Sequence, residues 1–193
     1  MAVGGEITIK SGTTPGTPSA GNITLWADAD GTLQALQSSG SSSGMGMYSA
    51  YMKCSDVKSQ NTGGGTFTAS AWRTRDINTE DADTGGNMSI SSNQITLDAG
   101  TYRCLARCPA HDVGHHQAQL YNISGSATTL IGTSEWISAT DNIQSSSIVT
   151  GRFTVAAETI FEIQHWCSDT GTFGVQVNIT SEVYTVAEFW KEA

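Results

Sequence analysis

The stretch ITLDAGTYRCLARCPAHDVGHHQAQLYNI, residues 95–123, decides the fold of this chain. It contains two runs of alternating side chains, Thr101–Cys108 and Gln117–Ile123, with a glycine before the first and a histidine-rich loop between them. In the first run, one face holds Tyr102, Cys104, Ala106 and Cys108, and the other holds Arg103, Leu105 and Arg107. A period of two residues is typical of a β-strand in a sheet. The stretch therefore predicts part of an all-β binding module and not a catalytic motif.

The composition of the chain favours the same fold class. Its 193 residues, 38% of them hydrophobic, are enough to build one core. The chain has 21 glycines, only 3 prolines and few sustained helix signals, a balance typical of a sandwich or jelly roll. Its net charge of -9 repels nucleic acid and anionic membrane surfaces. We therefore expect neither nucleic-acid binding nor membrane insertion.

The cysteines are predicted to be buried thiols. The N-terminal MAVGGEITIK has no features of a secretory signal, and no run of about 18 apolar residues is present that would cross a bilayer. We therefore expect synthesis in a cytosol, where reducing conditions disfavour disulfides. The thiols concerned are Cys54, Cys104, Cys108 and Cys167.

Residues 1–47 are predicted to form an N-terminal anchoring arm and not a domain. A short strand is expected at Glu6–Lys10, followed by a hairpin in which Ile23–Ala27 and Thr32–Leu36 flank an Asp-Gly turn. The Gly/Ser run Gly40–Gly46 then predicts a flexible linker. Because a lone hairpin is marginally stable in water, the arm is expected to be ordered against a partner or its own oligomer. The side chains predicted to anchor it are Ile7, Ile9, Ile23, Leu25, Trp26, Leu33 and Leu36.

Residues 48–193 are predicted to form a single β domain, the knob. The predicted strands are Tyr48–Cys54, Gly65–Trp72, Ser89–Ile90, Gln94–Leu97, Thr101–Cys108, Gln117–Ile123, Thr129–Ser134, Ser147–Val155, Thr159–Trp166, Phe173–Ile179 and Val183–Trp190. In Phe173–Ile179 the apolar residues alternate with polar ones and are expected to face the core. About ten short strands without a long helix predict a compact jelly-roll sandwich.

Seven segments in collinear order carry a family resemblance. They are residues 71–79 (AWRTRDINT), 89–104 (SISSNQITLDAGTYRC), 108–124 (CPAHDVGHHQAQLYNIS), 130–136 (LIGTSEW), 146–155 (SSIVTGRFTV), 159–167 (TIFEIQHWC) and 173–191 (FGVQVN, then EVYTVAEFWK). Together they resemble the jelly roll shared by the tumour necrosis factor and complement globular-head superfamily, in the version found at the ends of bacteriophage tail fibres. The segment Thr17–Gly40 resembles a hairpin placed ahead of such knobs in phage structural proteins.

This resemblance implies a homotrimer with edge-to-face packing of three jelly rolls, and a structural role at the virion surface without enzymatic activity or cofactor. The expected function is a surface appendage of tail-fibre or spike-tip type. Residues 1–47 would attach it to another virion protein, and the knob would bind a host surface glycan or protein. Capsid decoration, or a head fibre that stabilises the shell, is the alternative. A metal-dependent lectin or a glycan-active enzyme is a weaker one.

Candidate contact residues follow from loop position. The expected receptor contacts are Asp112, His115, His116, Trp136, Asp141 and Asn142. Trp136 lies in a predicted loop beside polar residues, where an aromatic ring would stack on a sugar. His111, His115 and His116 are candidate ligands for a transition metal. Because adjacent side chains of an extended backbone point apart, a polar rim loop is the simpler interpretation, and no metal site is predicted.

Other motifs have plainer explanations. Asp28–Gly31 begins like a calcium loop but lacks the acid that should close it, so a hairpin turn is the better interpretation. The acidic run from Asp76 to Asp83 is an alternative calcium site, although it is expected to be a solvated loop. Gly40–Gly44 matches a hydrolase elbow, but it lies in a linker and lacks the flanking strand and helix.

Overall fold

The computed structural model describes residues 12–17, 19–20, 22–27, 29, 33–37, 42–44 and 48–192. Within these ranges the chain forms strands and no helix, and no segment is a helix long and apolar enough to cross a bilayer. The strands are β1 (Ile23–Ala27), β2 (Leu33–Gln37), β3 (Ser42–Gly44), β4 (Tyr48–Lys58), β5 (Thr66–Phe67), β6 (Arg73–Thr74), β7 (Thr79–Asp83), β8 (Met88–Ser91), β9 (Gln94–Leu97), β10 (Gly100–His111), β11 (His115–Asn122), β12 (Ala127–Ile131), β13 (Glu135–Trp136), β14 (Gln144–Val155), β15 (Thr159–Cys167), β16 (Gly171–Thr172) and β17 (Glu182–Glu192). The chain divides into two compact units, residues 1–49 and 50–192.

The first unit contains a three-stranded antiparallel sheet. β1 and β2 pair from Ile23 opposite Gln37 to Ala27 opposite Leu33, over the two runs that the sequence predicts as a hairpin. The sequence predicts flexibility over Gly40–Gly46, but Ser42–Gly44 forms β3 and pairs with β2. This third strand satisfies backbone groups on the edge of β2 that a two-stranded hairpin leaves to solvent. The predicted strand at Glu6–Lys10 lies outside the described residues.

The second unit is built from two sheets. The front sheet has the order β5-β16-β10-β17-β4-β7, with β14 paired to the other side of β10. The back sheet has the order β12-β11-β15-β9-β8, with β13 paired to β11 and β6 paired to β15. Strands that are distant in sequence are neighbours in both sheets, as in a jelly roll.

The main core lies between the two sheets. On β10, Tyr102, Cys104, Ala106 and Cys108 are buried, and the arginines and leucine between them are exposed, as the period of two predicts. They share a hydrophobic cluster with residues of the back sheet, among them Leu120 and Phe161. A smaller cluster around Phe67, Val113 and Ile137 closes one end of the sandwich. All four cysteines are buried and free, which confirms the prediction of buried thiols.

Three predicted segments differ from the observed ones. Phe173–Ile179 is not a strand, and Val177 and Ile179 are 71% and 76% exposed, so its alternating pattern does not mark a core face. Thr79–Asp83 is not a solvated loop but β7, because its backbone pairs with β4 despite its acidic side chains. Of the predicted strand Gly65–Trp72, only Thr66–Phe67 is extended and paired.

Candidate binding surfaces

The loop between β10 and β11 is held against the turn before β14. His111 Nε2 lies 2.9 Å from Asn142 Oδ1, and the Asp112 carboxylate accepts the N–H of Ile143 at 3.0 Å. Asp112 and Asn142 have φ angles of 53° and 56°, a left-handed conformation that these residue types tolerate. The structure thus brings Asp112 and Asn142 together, and the exposed Asp141 precedes Asn142 in the same turn.

His116 is 2% exposed, which corrects the expectation that it faces solvent as a receptor contact. Its neighbour His115 is exposed, because adjacent residues of a strand point to opposite faces of the sheet. The histidines therefore do not converge on one site. Among the described residues, no group of three or more His, Cys, Asp or Glu side chains is placed to hold a metal ion.

A chain of hydrogen bonds runs through the interior from Arg75 to Ser145. Arg75 Nη1 lies 3.0 Å from His165 Nδ1, and His165 Nε2 lies 3.0 Å from His116 Nδ1. His116 Nε2 lies 2.8 Å from Ser145 Oγ. Because a guanidinium can only donate, His165 Nδ1 must accept and its Nε2 must carry the proton. The His165 Nε2–H then donates to His116 Nδ1, so the proton of His116 is on Nε2, from which it donates to Ser145 Oγ. Both rings are therefore neutral.

Arg75 is 1% exposed and ties three parts of the domain together. Its Nε donates to Thr185 Oγ1 at 2.5 Å, and its Nη1 donates to the Pro109 carbonyl at 2.8 Å. Its Nη2 donates to the Phe173 carbonyl at 3.0 Å, and the guanidinium carbon lies 4.4 Å from the centre of the Phe173 ring. Among the described residues, these hydrogen bonds all go to uncharged groups. Arg75 is therefore a buried cation held by dipoles and one aromatic ring.

Burial keeps both buried histidines uncharged. It lowers the pKa of His116 to about 4, with Glu135 opposing this shift and Arg75 reinforcing it. Burial and the charges of Arg75 and His116 lower the pKa of His165 well below its ordinary value. Sequence reasoning missed this network, because Arg75 and His165 are 90 positions apart. A signal was present in the alternation of β15, which places His165 on its inward face.

The thiols lack the properties of nucleophiles. Burial raises the pKa of Cys54 to about 12 and that of Cys167 to about 11. It also raises the pKa of Cys108 to about 11, although Arg75 opposes the shift. A thiol reacts through its thiolate, which is scarce at neutral pH when the pKa is this high. The raised pKa values of Cys54, Cys108 and Cys167 therefore fit buried structural thiols.

Trp136 lies on the two-residue strand β13 and is 64% exposed. It stands directly opposite the exposed His115 of β11, so these two predicted contacts are neighbours on one side of the back sheet. Because β13 pairs with β11, the backbone of Trp136, from which the indole extends, is held in place. The structure therefore groups Trp136 with His115 and groups Asp112 with Asn142.

The predicted anchoring residues fall on both faces of the small sheet. Ile23 and Leu25 are exposed, and Leu33 is half-buried on the same face. Trp26 and Leu36 belong to the opposite face and are buried. Ile7 and Ile9 lie outside the described residues. The exposed anchoring candidates that the structure describes are thus Ile23 and Leu25.

The solvent side of the front sheet, here called the front face, has an apolar centre and a charged margin. Leu105 is 38% exposed and lines a groove of about 310 Å³ with Ile148 and Val186, and Arg107 and Glu188 flank them. Tyr51 and Trp190 form a ring contact with centroids 5.6 Å apart, and Tyr51 Oη donates to Glu188 at 2.6 Å. At the margin, Arg152 makes two hydrogen bonds to the Glu192 carboxylate at 2.8 and 2.7 Å, and Lys53 pairs with Asp81. An apolar centre within a polar rim is the usual anatomy of a protein interface.

The segment Gly174–Ser181, here called the apolar loop, extends this surface. Val175 and Val177 line a second groove of about 400 Å³ together with Arg107, Val183 and Val186. The loop is fixed by its backbone. Glu182 accepts the N–H groups of Val177 and Asn178, and these bonds lower the pKa of its carboxyl. Sequence reasoning assigned these valines to the core, so it missed their exposure.

Comparison with known proteins identifies the fold. No protein-family model and no curated protein sequence matches the chain. Among solved structures, the Eiger TNF of S. frugiperda is 11% identical, with 74% of this chain and 93% of that chain covered at a TM-score of 0.52. The globular domain of zebrafish complement 1qA is 13% identical, with coverages of 72% and 94% and a TM-score of 0.48. The PRD1 vertex protein P5 is 14% identical, with coverages of 77% and 100% and a TM-score of 0.44. The predicted all-β jelly roll of the tumour necrosis factor type is confirmed.

Proposed function

We propose that this chain is a non-enzymatic virion surface protein whose knob, residues 48–193, assembles as a homotrimer. The observation that carries the proposal is the front face, where the exposed Leu105 and the half-buried Val186 and Tyr51–Trp190 pair form an apolar centre flanked by Arg107 and Glu188. A soluble domain gains by covering such a surface, at about 25 cal/mol per Å² of apolar area removed from water. A second copy of the same chain is a partner always present at matching concentration.

A cyclic trimer joins two different patches of each subunit, because its contacts run head to tail around the axis. The front face supplies one patch. Ile131 at the end of β12 and Ile143 just before β14 are both exposed, and they would contribute to the other. This pairing corresponds to the edge-to-face packing that the family resemblance implies.

The trimer would serve host recognition as a tail-fibre or spike tip. Residues 1–47 would attach it to another virion protein, with Ile23 and Leu25 as the exposed described contacts of the arm. The exposed loops around Asp112, Trp136 and Asn142 would meet the receptor. Three weak contacts on one trimer act at high effective concentration, so avidity arises without a deep pocket in each subunit.

Capsid decoration, including a head fibre, is the second candidate, and one observation favours it. The described residues before the knob form three short strands and no helix that would pair into a coiled-coil shaft. A decoration protein binds the assembled shell and stabilises it by mass action. It has no need of a shaft.

Two experiments test these proposals. Native mass spectrometry of the purified protein should give about three times the chain mass of 20.3 kDa. Leu105→Glu should shift this species to monomer, because it buries a charge in an apolar contact. Trp72→Glu is the matched control, since Trp72 is 41% exposed, close to the 38% of Leu105, and lies off the front sheet. A monomeric wild type would refute the trimer, and antibody labelling of intact particles distinguishes tail from head.

A further inference from the structure

The solvent side of the back sheet, here called the back face, combines aromatic rings with side-chain amides. On β11 and β15 the inward residues His116, Ala118, His165 and Cys167 are buried. The residues between them therefore point outward, because side chains alternate along a strand. The outward set is His115, Gln117, Gln119, Glu162, Gln164 and Trp166, with Trp136 added by β13; Gln119 points outward but is only 3% exposed.

Two tryptophans lie across this face. Trp136 is opposite His115, and Trp166 is opposite Gln117, two residues further along β11. With strands about 4.8 Å apart and about 3.3 Å per residue, the two tryptophan backbones are roughly 12 Å apart. Trp136 is the more exposed of the two rings, and Trp166 is half-buried. This separation would allow a short chain of sugar rings to contact both tryptophans across β13, β11 and β15.

The glutamines form a fixed ladder beside the rings. Thr128 Oγ1 donates to Gln119 Oε1 at 2.6 Å, and Gln119 Nε2 donates to Gln164 Oε1 at 2.8 Å. Gln164 Nε2 in turn donates to Glu162 Oε2 at 2.9 Å. These bonds set which end of each amide is oxygen and which is nitrogen. A side chain already held in place loses little entropy when a ligand binds.

A second amide is fixed next to Trp166. Gln117 Nε2 donates to the Gly132 carbonyl at 2.9 Å and to Ser134 Oγ at 3.1 Å. An amide carries two donor hydrogens and an oxygen with two lone pairs, so Gln117 and Gln164 each have hydrogen-bonding capacity beyond these contacts. Gln117, whose two N–H groups are both used, can accept from a hydroxyl through Oε1, whereas Gln164 can serve a hydroxyl as donor or acceptor.

The charge of the surface selects the ligand. The outward set on β11, β13 and β15 includes Glu162 and no lysine or arginine, although the exposed Arg73 lies beside β15 on β6, and the whole chain has a net charge of -9. A phosphorylated or sialylated ligand would therefore be repelled. Aromatic rings offer an apolar face to C–H groups, and amides offer partners to hydroxyls. A neutral sugar chain has both groups on each unit.

We propose that the back face binds a neutral glycan of two to three sugar units, with Trp136 and Trp166 stacking on sugar rings and Gln117 and Gln164 bonding hydroxyls. The inference rests on the proposed function, because it names the ligand class of the host-recognition knob. It requires no metal ion. It also adds Gln117, Gln164 and Trp166 to a contact region in which sequence reasoning saw only Trp136 and His115.

The test uses the full-length protein with three neutral probes, maltotriose, chitotriose and mannotriose, and with sialyllactose as the anionic comparison. Titration followed by tryptophan fluorescence and by saturation-transfer NMR should detect at least one neutral probe at a Kd on the order of 0.1–1 mM. Sialyllactose should bind at least tenfold more weakly. Trp136→Ala and Gln164→Leu should each weaken binding at least tenfold, and Trp136→Tyr should retain part of it. Ile179→Ala, which removes a 76% exposed apolar side chain of the apolar loop and touches neither β11, β13 nor β15, should leave the Kd unchanged.

The outcomes separate this proposal from the trimer. If the wild type is trimeric but binds none of the neutral probes, or binds equally well after Trp136→Ala, the glycan assignment is overturned and the trimer stands. If Trp136→Ala dissociates the trimer, Trp136 belongs to the subunit contact and the glycan assignment is again overturned. If the wild type is monomeric but binds a probe through Trp136, the glycan assignment stands alone, because its contacts lie within one chain.

Discussion

Acidification should destabilise the knob through its two buried histidines. His116 and His165 are each required to accept a hydrogen bond at Nδ1, His165 from Arg75 and His116 from His165. Protonation of His165 would place a donor at Nδ1, facing the Arg75 guanidinium, which is also a donor. Protonation of His116 would likewise place a donor at Nδ1, facing the His165 Nε2–H. In each case a hydrogen bond is replaced by repulsion between two donors. The charged groups that act on the pair are Arg75, which disfavours protonation of both, and Glu135, which favours that of His116. The neutral chain of hydrogen bonds is therefore stable only while both rings stay deprotonated.

The size of the effect follows from linkage. The pKa of His116 is about 4 in the folded protein and about 6.5 when unfolded, so the unfolded chain binds more protons between these values. The contribution of neutral His116 to the free energy of unfolding is therefore present above about pH 6.5 and is lost as the pH is lowered towards 4. For His116 alone the loss between pH 7 and pH 5 is about 2 kcal/mol by linkage, and about 1–2 kcal/mol after allowance for solvent near Ser145. His165 adds a loss of the same sign.

Urea unfolding followed by tryptophan fluorescence at pH 7, 6 and 5, at one protein concentration, measures this loss. His116→Asn should flatten the pH dependence, because Asn Oδ1 can accept the His165 Nε2–H and does not titrate. His115→Asn is the control, since His115 is exposed on the same strand, and it should keep the wild-type slope. A wild-type loss below about 0.5 kcal/mol, or an equally steep loss in His116→Asn, would refute the reasoning.

Three further perturbations test the packing. Arg75→Met should lower the free energy of unfolding by about 3–5 kcal/mol, since it leaves several buried acceptors unpaired; a loss below about 1 kcal/mol would contradict the network. Gly174→Ala should lower the free energy of unfolding by about 2–3 kcal/mol, because φ is +147° and the added Cβ would clash with Tyr184. Gly65→Ala, at φ +91° with open space around it, should lower it by about half as much. Equal losses for the two variants would rule out the clash. DTNB at pH 8 should label none of the four buried cysteines in the folded protein and all of them in guanidinium, and rapid labelling before unfolding would show that they are accessible.

Local pattern is enough to predict the strands that form the sandwich. The prediction for β9 matches the structure to the residue, and that for β10 has the correct inward face, because apolar side chains alternate there with arginines. β7 escapes prediction because its side chains are acidic. Backbone pairing with β4, a partner distant in sequence, makes it a strand all the same. The local pattern of a single sequence does not show which distant segments pair as strands.

The same limit explains the assignment of the histidines. The sequence places His111, His115 and His116 within six positions, which suggests a cluster. Strand geometry sends His116 inward to His165, while His111 bonds to Asn142. The residues that matter to His116 come from β15, β14 and the segment before β7. No spacing rule within the loop could have found them.

The error at Phe173–Ile179 connects the interior network to the proposed trimer. Alternation predicts that these valines and the isoleucine face the core, yet Val175 and Val177 line a groove on the solvent side of the front sheet and Ile179 is exposed. The apolar loop follows directly after Phe173, whose carbonyl and ring are both contacted by Arg75. Through Pro109 and Thr185 the same guanidinium also holds β10 and β17, the strands that carry Leu105 and Val186. Protonation of His165 would thus disturb a side chain that joins Phe173, next to the apolar loop, to β10 and β17. If the front face is the trimer contact, acid should weaken assembly as well as folding, and His165→Asn, which keeps an acceptor for Arg75, should make assembly less sensitive to pH.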